Sequence, residues 1–107
     1  MDDRELLELA AKAHGDLRYV PDGVDGWIHE LPNGDRGAWW NPLTDDGDAL
    51  RLAVKLGMHF ECGAEWSICY AGSVCAKQFS ERHGDDKYAA TRRAIVRAAA
   101  EIGRAMP

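Results

Sequence analysis

The stretch TDDGD at residues 44–48 crowds three carboxylates into one turn, where they could hold a cation or begin a helix. Asp45, Asp46 and Asp48 lack the alternating spacing of an EF-hand calcium loop, and no glutamate follows in the predicted helix. A phosphate would be repelled by three carboxylates. We therefore predict that Thr44 or Asp45 caps a helix, with Asp46 and Asp48 at the positive end of its dipole.

A second group of candidate ligands comprises one histidine and the three cysteines: His59, Cys62, Cys69 and Cys75. Structural zinc sites usually present their ligands in close pairs, and only His59 and Cys62 have that spacing. We therefore predict no metal ion and no cofactor, and we expect reduced thiols that pack as small apolar groups. Because no histidine lies in a local catalytic signature, we also expect no enzyme activity.

Four arginines occupy the last predicted helix: Arg92, Arg93, Arg97 and Arg104. The last three lie along one helical side, with the first adjacent to them. In an acidic chain such a stripe could hold a phosphate, a nucleotide or an acidic partner surface. The alternative is a solvated helix face whose arginines pair with Glu101 or with nearby aspartates.

Two adjacent tryptophans, Trp39 and Trp40, fall in a predicted strand. Neighbouring strand residues point to opposite faces, so the two rings cannot share one core. We expect one ring to meet a helix and the other to lie at an interface or groove, since tryptophan and arginine often anchor binding surfaces. A sheet covered by helices could instead bury both rings.

The hydrophobic pattern predicts one domain, residues 1–107, with helices at 2–14 and 44–57 and a third from Asp85 or Asp86 to Ala105. In the second helix, Leu50 and Val54 are expected to widen the core face that Leu52 begins. Extended segments are expected at 17–20, GWIHEL and AWW, followed by three antiparallel strands in HFEC, EWSICYA and VCAKQFS, with ERHGDDK as a polar loop. This order predicts an α+β fold in which helices pack on a small, mostly antiparallel sheet.

The formal net charge of −5 argues against general nucleic-acid binding, which relies on an excess of lysine and arginine. The N-terminus is acidic and lacks the apolar block of an export signal. No apolar run is long enough to cross a bilayer. We therefore expect a cytoplasmic protein that does not bind membranes.

The segment AWWNPLTDDGDALRLAVKL, followed by a strand region and ATRRAIVRAAAEIGRAM, resembles small phage and prophage proteins with the phage ABA sandwich domain. The matching positions are Trp40, Pro42, residues 52–56 and residues 90–100, and RELLELAAKAHG resembles the opening helix of that family. The resemblance implies an α/β/α layered sandwich encoded by a phage or prophage. It implies no particular activity.

Small accessory phage proteins often counter host defences, so the resemblance leads us to expect a non-catalytic inhibitor of a bacterial defence system that contacts a host protein. Its contact surface would comprise the exposed tryptophan of the pair and the four arginines. One alternative is a protein that sequesters a cyclic or dinucleotide signal, and another is a small metal-dependent hydrolase. We also expect a homodimer, formed through the Ala-rich last helix or a sheet edge.

Overall fold

Three helices and six strands make up the described part of the chain, which is residues 1–21, 26–72 and 77–107 of a computed structural model. In chain order the elements are α1 (Asp3–His14), β1 (Leu17–Val20), β2 (Gly26–Glu30), β3 (Arg36–Trp40), α2 (Asp46–Lys55), β4 (Phe60–Cys62), β5 (Trp66–Tyr70), β6 (Gln78–Arg82) and α3 (Lys87–Ala105). No helix within these ranges combines the length and the apolar character that a membrane span requires.

The described strands form two antiparallel sheets, β1-β2-β3 (sheet 1) and β4-β5-β6 (sheet 2). The expected α+β class is therefore confirmed. The sequence pattern suggested a single small sheet, whereas α2 separates the strands into two groups of three. Within each group, neighbouring strands in the chain are also neighbours in the sheet, which is the simplest antiparallel arrangement.

The carboxylates of TDDGD begin α2, as predicted. Asp45 is the N-cap and accepts a hydrogen bond from the backbone N–H of Asp48 at 2.8 Å. Asp48 is itself buried, and its other contacts are the backbone N–H of Asn41 at 2.9 Å and the Arg51 guanidinium at 3.0 Å. This carboxylate therefore ties the end of β3 to the first turn of α2, in addition to its favourable position at the helix dipole.

The third strand of sheet 2 differs from its predicted position. The expected segment VCAKQFS covers residues 74–80, of which 74–76 lie outside the described residues, and β6 spans Gln78–Arg82. Glu81 and Arg82, which were predicted to belong to a loop, pair with Ser67 and Trp66 of β5. The backbone ladder to β5 outweighs the polar character of this segment, because strand formation depends on the neighbouring strand as well as on local propensity.

Sheet 2 presents alternate side chains to α3, which packs on β5 and β6. Phe60, Cys69 and Phe79 occupy one row across its three strands and belong to the core, as the strand register requires. The core side of α3 is made largely of small residues, with Ala94, Ala98, Ala99 and Ala100 all buried. These alanines allow the helix to approach the sheet closely.

Sheet 1 meets the helices through Trp40, whose ring packs edge-to-face against His14 at 5.6 Å between ring centroids. His14 also contacts the ring of His29, and its Nδ1 lies 3.5 Å from the Lys55 ammonium. Burial lowers the pKa of His14, and the positive charge of Lys55 lowers it further, against an opposing hydrogen bond at Gly15. The cluster therefore favours a neutral imidazole at the junction of α1, α2 and sheet 1.

The contact between α1 and α3 requires a glycine at position 103. A Cβ built on Gly103 would lie 1.9 Å from the Leu9 carbonyl oxygen and 2.9 Å from its carbonyl carbon. Both atoms belong to the backbone of α1, so they cannot move aside as a flexible side chain could. Gly103 therefore sets how closely the two helices approach each other.

We predict that Gly103→Ala destabilises the fold by at least about 2 kcal/mol, although alanine alone would favour the helix by about 1 kcal/mol. The matched control is Gly47→Ala in α2, where a Cβ would meet mainly the guanidinium end of Arg51, which can move. We expect this control to stay within about 1 kcal/mol of the wild type. Urea denaturation of both variants measures the difference, and equal stability of the two would refute the proposed backbone contact.

Candidate functional site

Each of the four arginines predicted to bind a partner or ligand forms an ion pair within the chain. The carboxylate partners are Asp46 of α2 for Arg92, Asp3 of α1 for Arg93, Glu81 of β6 for Arg97, and Glu101, one turn earlier in α3, for Arg104. The paired alternative considered for this helix face is therefore the arrangement observed. Three of these pairs also connect α3 to its neighbouring elements.

Arg93, Arg97 and Arg104 line one cavity of about 440 Å³, here called the arginine cavity. Phe79 forms part of its wall, and the Arg97 guanidinium stacks 5.2 Å from the centre of the Phe79 ring. The hydrogen bonds between Arg104 and Glu101 lower the pKa of the Glu101 carboxyl and raise the pKa of the guanidinium. The cavity thus combines three guanidinium groups, an aromatic ring and the carboxylates that already balance much of their charge.

Arg92 lies on a different surface from the other three arginines. Its guanidinium donates to the Leu43 carbonyl at 2.9 Å and to the Asp46 carboxylate at 2.7 Å. Its side chain is largely buried between α2 and α3. The structure therefore separates it from the stripe with which the sequence had grouped it.

The two tryptophans of β3 have opposite environments. Trp40 is 3% exposed and belongs to the core, whereas Trp39 is 53% exposed. The Trp39 ring lies over Gly26, where a Cβ would be 3.0 Å from ring atom Cζ3. Of the two alternatives drawn from the sequence, one buried ring and one exposed ring is the arrangement observed. Trp40 is therefore a core residue, and neither ring lines the arginine cavity.

A cleft between α2, α3 and β4 was not predicted from the sequence. This α2–α3 cleft has a volume of about 420 Å³, and its apolar wall is formed by Ala49, Leu50, Phe60 and Ile95. Its polar rim comprises Asp46, Cys62, His83, Lys87, Thr91 and Arg92, together with Tyr88. A mostly apolar cleft with a few convergent polar groups is the usual form of a binding site.

Two apolar residues of α2 that the sequence pattern places in the core are exposed instead. Leu50 and Val54 were expected to widen the buried face of α2, but they are 52% and 72% exposed. Each is two positions from Leu52, which is fully buried, and two positions correspond to about 200° around a helix. The geometry of the helix therefore places them opposite the core, and Leu50 lines the cleft together with the exposed Tyr88 of α3.

One wall of the cleft contains a hydrogen-bond network around Ser67. The Ser67 hydroxyl lies 2.8 Å from Nε2 of His83 and 2.7 Å from the Thr91 hydroxyl. Nδ1 of His83 donates to the Ala64 carbonyl at 3.1 Å. Thr91 in turn donates to the Lys87 carbonyl at 2.8 Å. Because Ser67 is buried, this serine fixes the orientation of His83 and joins β5 to α3.

The cysteines have different environments. Cys69 is buried in the core, and burial raises the pKa of its thiol to about 12. Cys62 is exposed at the cleft, with its sulfur 3.9 Å from the Thr91 hydroxyl. Cys75 lies outside the described residues. Among the residues that the structure covers, no group of three or more histidine, cysteine, aspartate or glutamate side chains is arranged to hold a metal ion.

Comparison with known proteins gives one partial similarity. A ribonuclease H from Rhodospirillum rubrum is 37% identical to this chain over 62 residues, which is 57% of this chain and 37% of that protein. The chain therefore corresponds to a little over a third of the length of that relative. No family model matches the chain, and no solved structure matches it.

The difference between the two tryptophans gives a direct test of the β3 environment. We predict that Trp40→Ala lowers the free energy of unfolding by about 3–5 kcal/mol, because it leaves a cavity in the core. Trp39→Ala should lower it by less than about 1 kcal/mol, since half of that ring is already in water. Both values are obtained by urea denaturation, and losses of similar size would contradict the orientation of β3.

Proposed function

We propose that this chain is a small non-catalytic binding protein of phage or prophage origin. In this proposal it acts in the bacterial cytoplasm and inhibits a component of a host defence system by direct protein–protein contact. The phage origin rests on the family resemblance of the segments 38–56 and 90–106. The binding role rests on one structural observation, which is the apolar surface at the α2–α3 cleft.

That surface supports the proposal because its side chains gain little from their position in the isolated protein. Leu50 lines the cleft from α2, and Tyr88, which is 61% exposed, lines it from α3. Val54 is a further exposed apolar side chain of α2. Exposed apolar residues beside a cleft are typical of protein-binding sites, in which an apolar side chain of the partner fills the pocket. Trp39 provides a second exposed aromatic contact on sheet 1.

The charges around the cleft indicate the chemistry of the partner. Arg92 is paired with Asp46. The Lys87 ammonium lies 5.7 Å from the centre of the Tyr88 ring and has no carboxylate partner among the described residues. The rim therefore carries one unbalanced positive charge in a protein whose formal net charge is −5. A partner segment with an apolar side chain and a neighbouring acidic residue matches this surface best.

The proposal is tested by capture of the host partner with matched variants. Leu50→Glu places a charge at the cleft, and Leu31→Glu makes the same change in the exposed turn between β2 and β3. We expect wild type and Leu31→Glu to recover the same host defence protein from a lysate, and Leu50→Glu to recover at least about tenfold less. Thermal unfolding confirms that both variants are folded.

Two outcomes of this experiment would count against the proposal. Recovery of no host protein by the wild type would remove the evidence for a partner. Equal recovery by Leu50→Glu and Leu31→Glu would show that a partner binds elsewhere, and the cleft would lose its assigned role.

A second candidate function, sequestration of a cyclic or dinucleotide signal, is favoured by the arginine cavity. Arg93, Arg97 and Arg104 converge there with Phe79, and guanidinium groups with an aromatic ring suit phosphates and a base. A nucleotide would have to displace Asp3, Glu81 or Glu101 from these arginines. The exchange is feasible at Arg93, because an ion pair at the protein surface contributes at most about 1 kcal/mol.

Thermal-shift measurements with cyclic dinucleotides test this candidate. Binding raises the melting temperature by mass action, so wild type should be stabilised at millimolar ligand. Arg93→Gln should reduce the shift relative to its own ligand-free baseline, whereas Arg51→Gln, on the exposed face of α2, should leave it unchanged. No shift with the wild type, or an equal shift with Arg93→Gln, would exclude the arginine cavity as the nucleotide site.

A further inference from the structure

The outer face of sheet 2 carries an apolar stripe that the fold does not cover. In β5 the side chains of Ser67 and Cys69 point toward α3, so Trp66, Ile68 and Tyr70 point to the opposite face. In the described part of the chain, α3 is the helix that packs on β5 and β6. An antiparallel sheet with one face in water normally carries polar residues on that face. Here the central strand places three large apolar or aromatic residues there, and Trp66 is exposed.

Charged residues flank this stripe with opposite signs. On one side, Glu61 of β4 is paired in register with Ile68. On the other side, Arg82 of β6 is paired with Trp66, and its guanidinium lies 5.5 Å from the centre of the Trp66 ring. The outer face thus carries one acidic residue on β4, the apolar stripe in the centre, and one basic residue on β6 beside the neutral Ser80 and Gln78.

We propose that this outer face of sheet 2 binds the same face of a second copy of the chain. A two-fold axis parallel to β5 brings the two apolar stripes together and places β4 of each copy over β6 of the other. Glu61 of each copy then faces Arg82 of the partner subunit. Glu61 is level with Ile68 and Arg82 is level with Trp66, so the two charged residues are offset by two positions, or about 7 Å, along the strand direction. Their long side chains can span this offset. An axis perpendicular to the strands would place β4 over β4, so like charges would face each other.

The size of the face predicts a weak dimer. Strands of three, five and five residues cover at most about 17 by 14 Å, or about 240 Å². This is well below the roughly 800 Å² that each partner contributes to a standard interface. A groove of about 510 Å³ beside Trp66, formed with the β4–β5 turn, extends the contact. We therefore expect reversible association that depends on protein concentration.

This contrasts with the expectation of a dimer through the Ala-rich helix, whose alanines are largely buried within the chain's own core.

The proposal does not depend on the proposed function, because the α2–α3 cleft lies on the opposite face of sheet 2. Cys62 and Phe60 of β4 line that cleft, whereas Glu61, which lies between them, points to the outer face. Variants on the outer face should therefore change dimerisation without changing recovery of a host protein. Failure of one proposal is distinguishable from failure of the other.

Charge reversal tests the geometry by sedimentation equilibrium of the full chain. Glu61→Arg and Arg82→Glu each place two like-charged pairs across the two-fold axis, and we expect each to weaken dimerisation at least about tenfold. An equimolar mixture of the two variants restores both attractive pairs, so we expect a heterodimer of near wild-type affinity. Glu8→Arg, on the exposed side of α1, is the matched control and should leave the dimer unchanged.

Three results would overturn the proposal. The first is a wild-type protein that stays monomeric up to millimolar concentration. The second is a dimer that neither reversal weakens, which would show that another surface is used. The third is a mixture of the two variants that associates no more tightly than each variant alone, which would show that Glu61 and Arg82 do not face each other.

Discussion

The close approach of α1 to α3 at Gly103 is the contact on which the rest of the structure depends. Because the backbone of α1 touches α3 there, the two helices approach closely, and alanines of both helices are buried in the core beside larger residues such as Leu6 and Ile95. The long α3 then has one small-residue face for α1 and sheet 2, which leaves its longer polar side chains at the margins of that contact. Those margins are where both cavities of interest lie, the arginine cavity on one side and the α2–α3 cleft on the other.

The arginines of α3 illustrate how one set of residues can serve both architecture and recognition. Their carboxylate partners come from α1, α2, β6 and α3 itself, so the pairs orient α3 relative to most of the molecule. At exposed positions each pair contributes at most about 1 kcal/mol, because water screens the charges. A phosphate could therefore compete for Arg93, but the displaced carboxylate would remain close and repel it. This balance favours the apolar cleft over the arginine cavity as the main contact site.

The sequence predicted features that depend on local chemistry and missed those that depend on which elements meet. The aspartate N-caps of α2 and α3 and the α+β class follow from local patterns, and both are confirmed. The separate environments of Trp39 and Trp40 follow from strand alternation, although the sequence could not say which ring is buried. The ion-pair partners of the arginines and the division into two sheets require the tertiary arrangement. Leu50 and Val54 could have been placed correctly, since the helical period alone turns them away from Leu52.

The two faces of sheet 2 separate the two surfaces to which we assign a role. Strand alternation sends Phe60 and Cys62 toward α3 and the cleft, and it sends Glu61 toward the open face. Neighbouring residues of the three-residue strand β4 therefore contribute to different surfaces. Such a division suits a small binding protein, because a second copy can cover one face while the cleft on the other remains open to a partner.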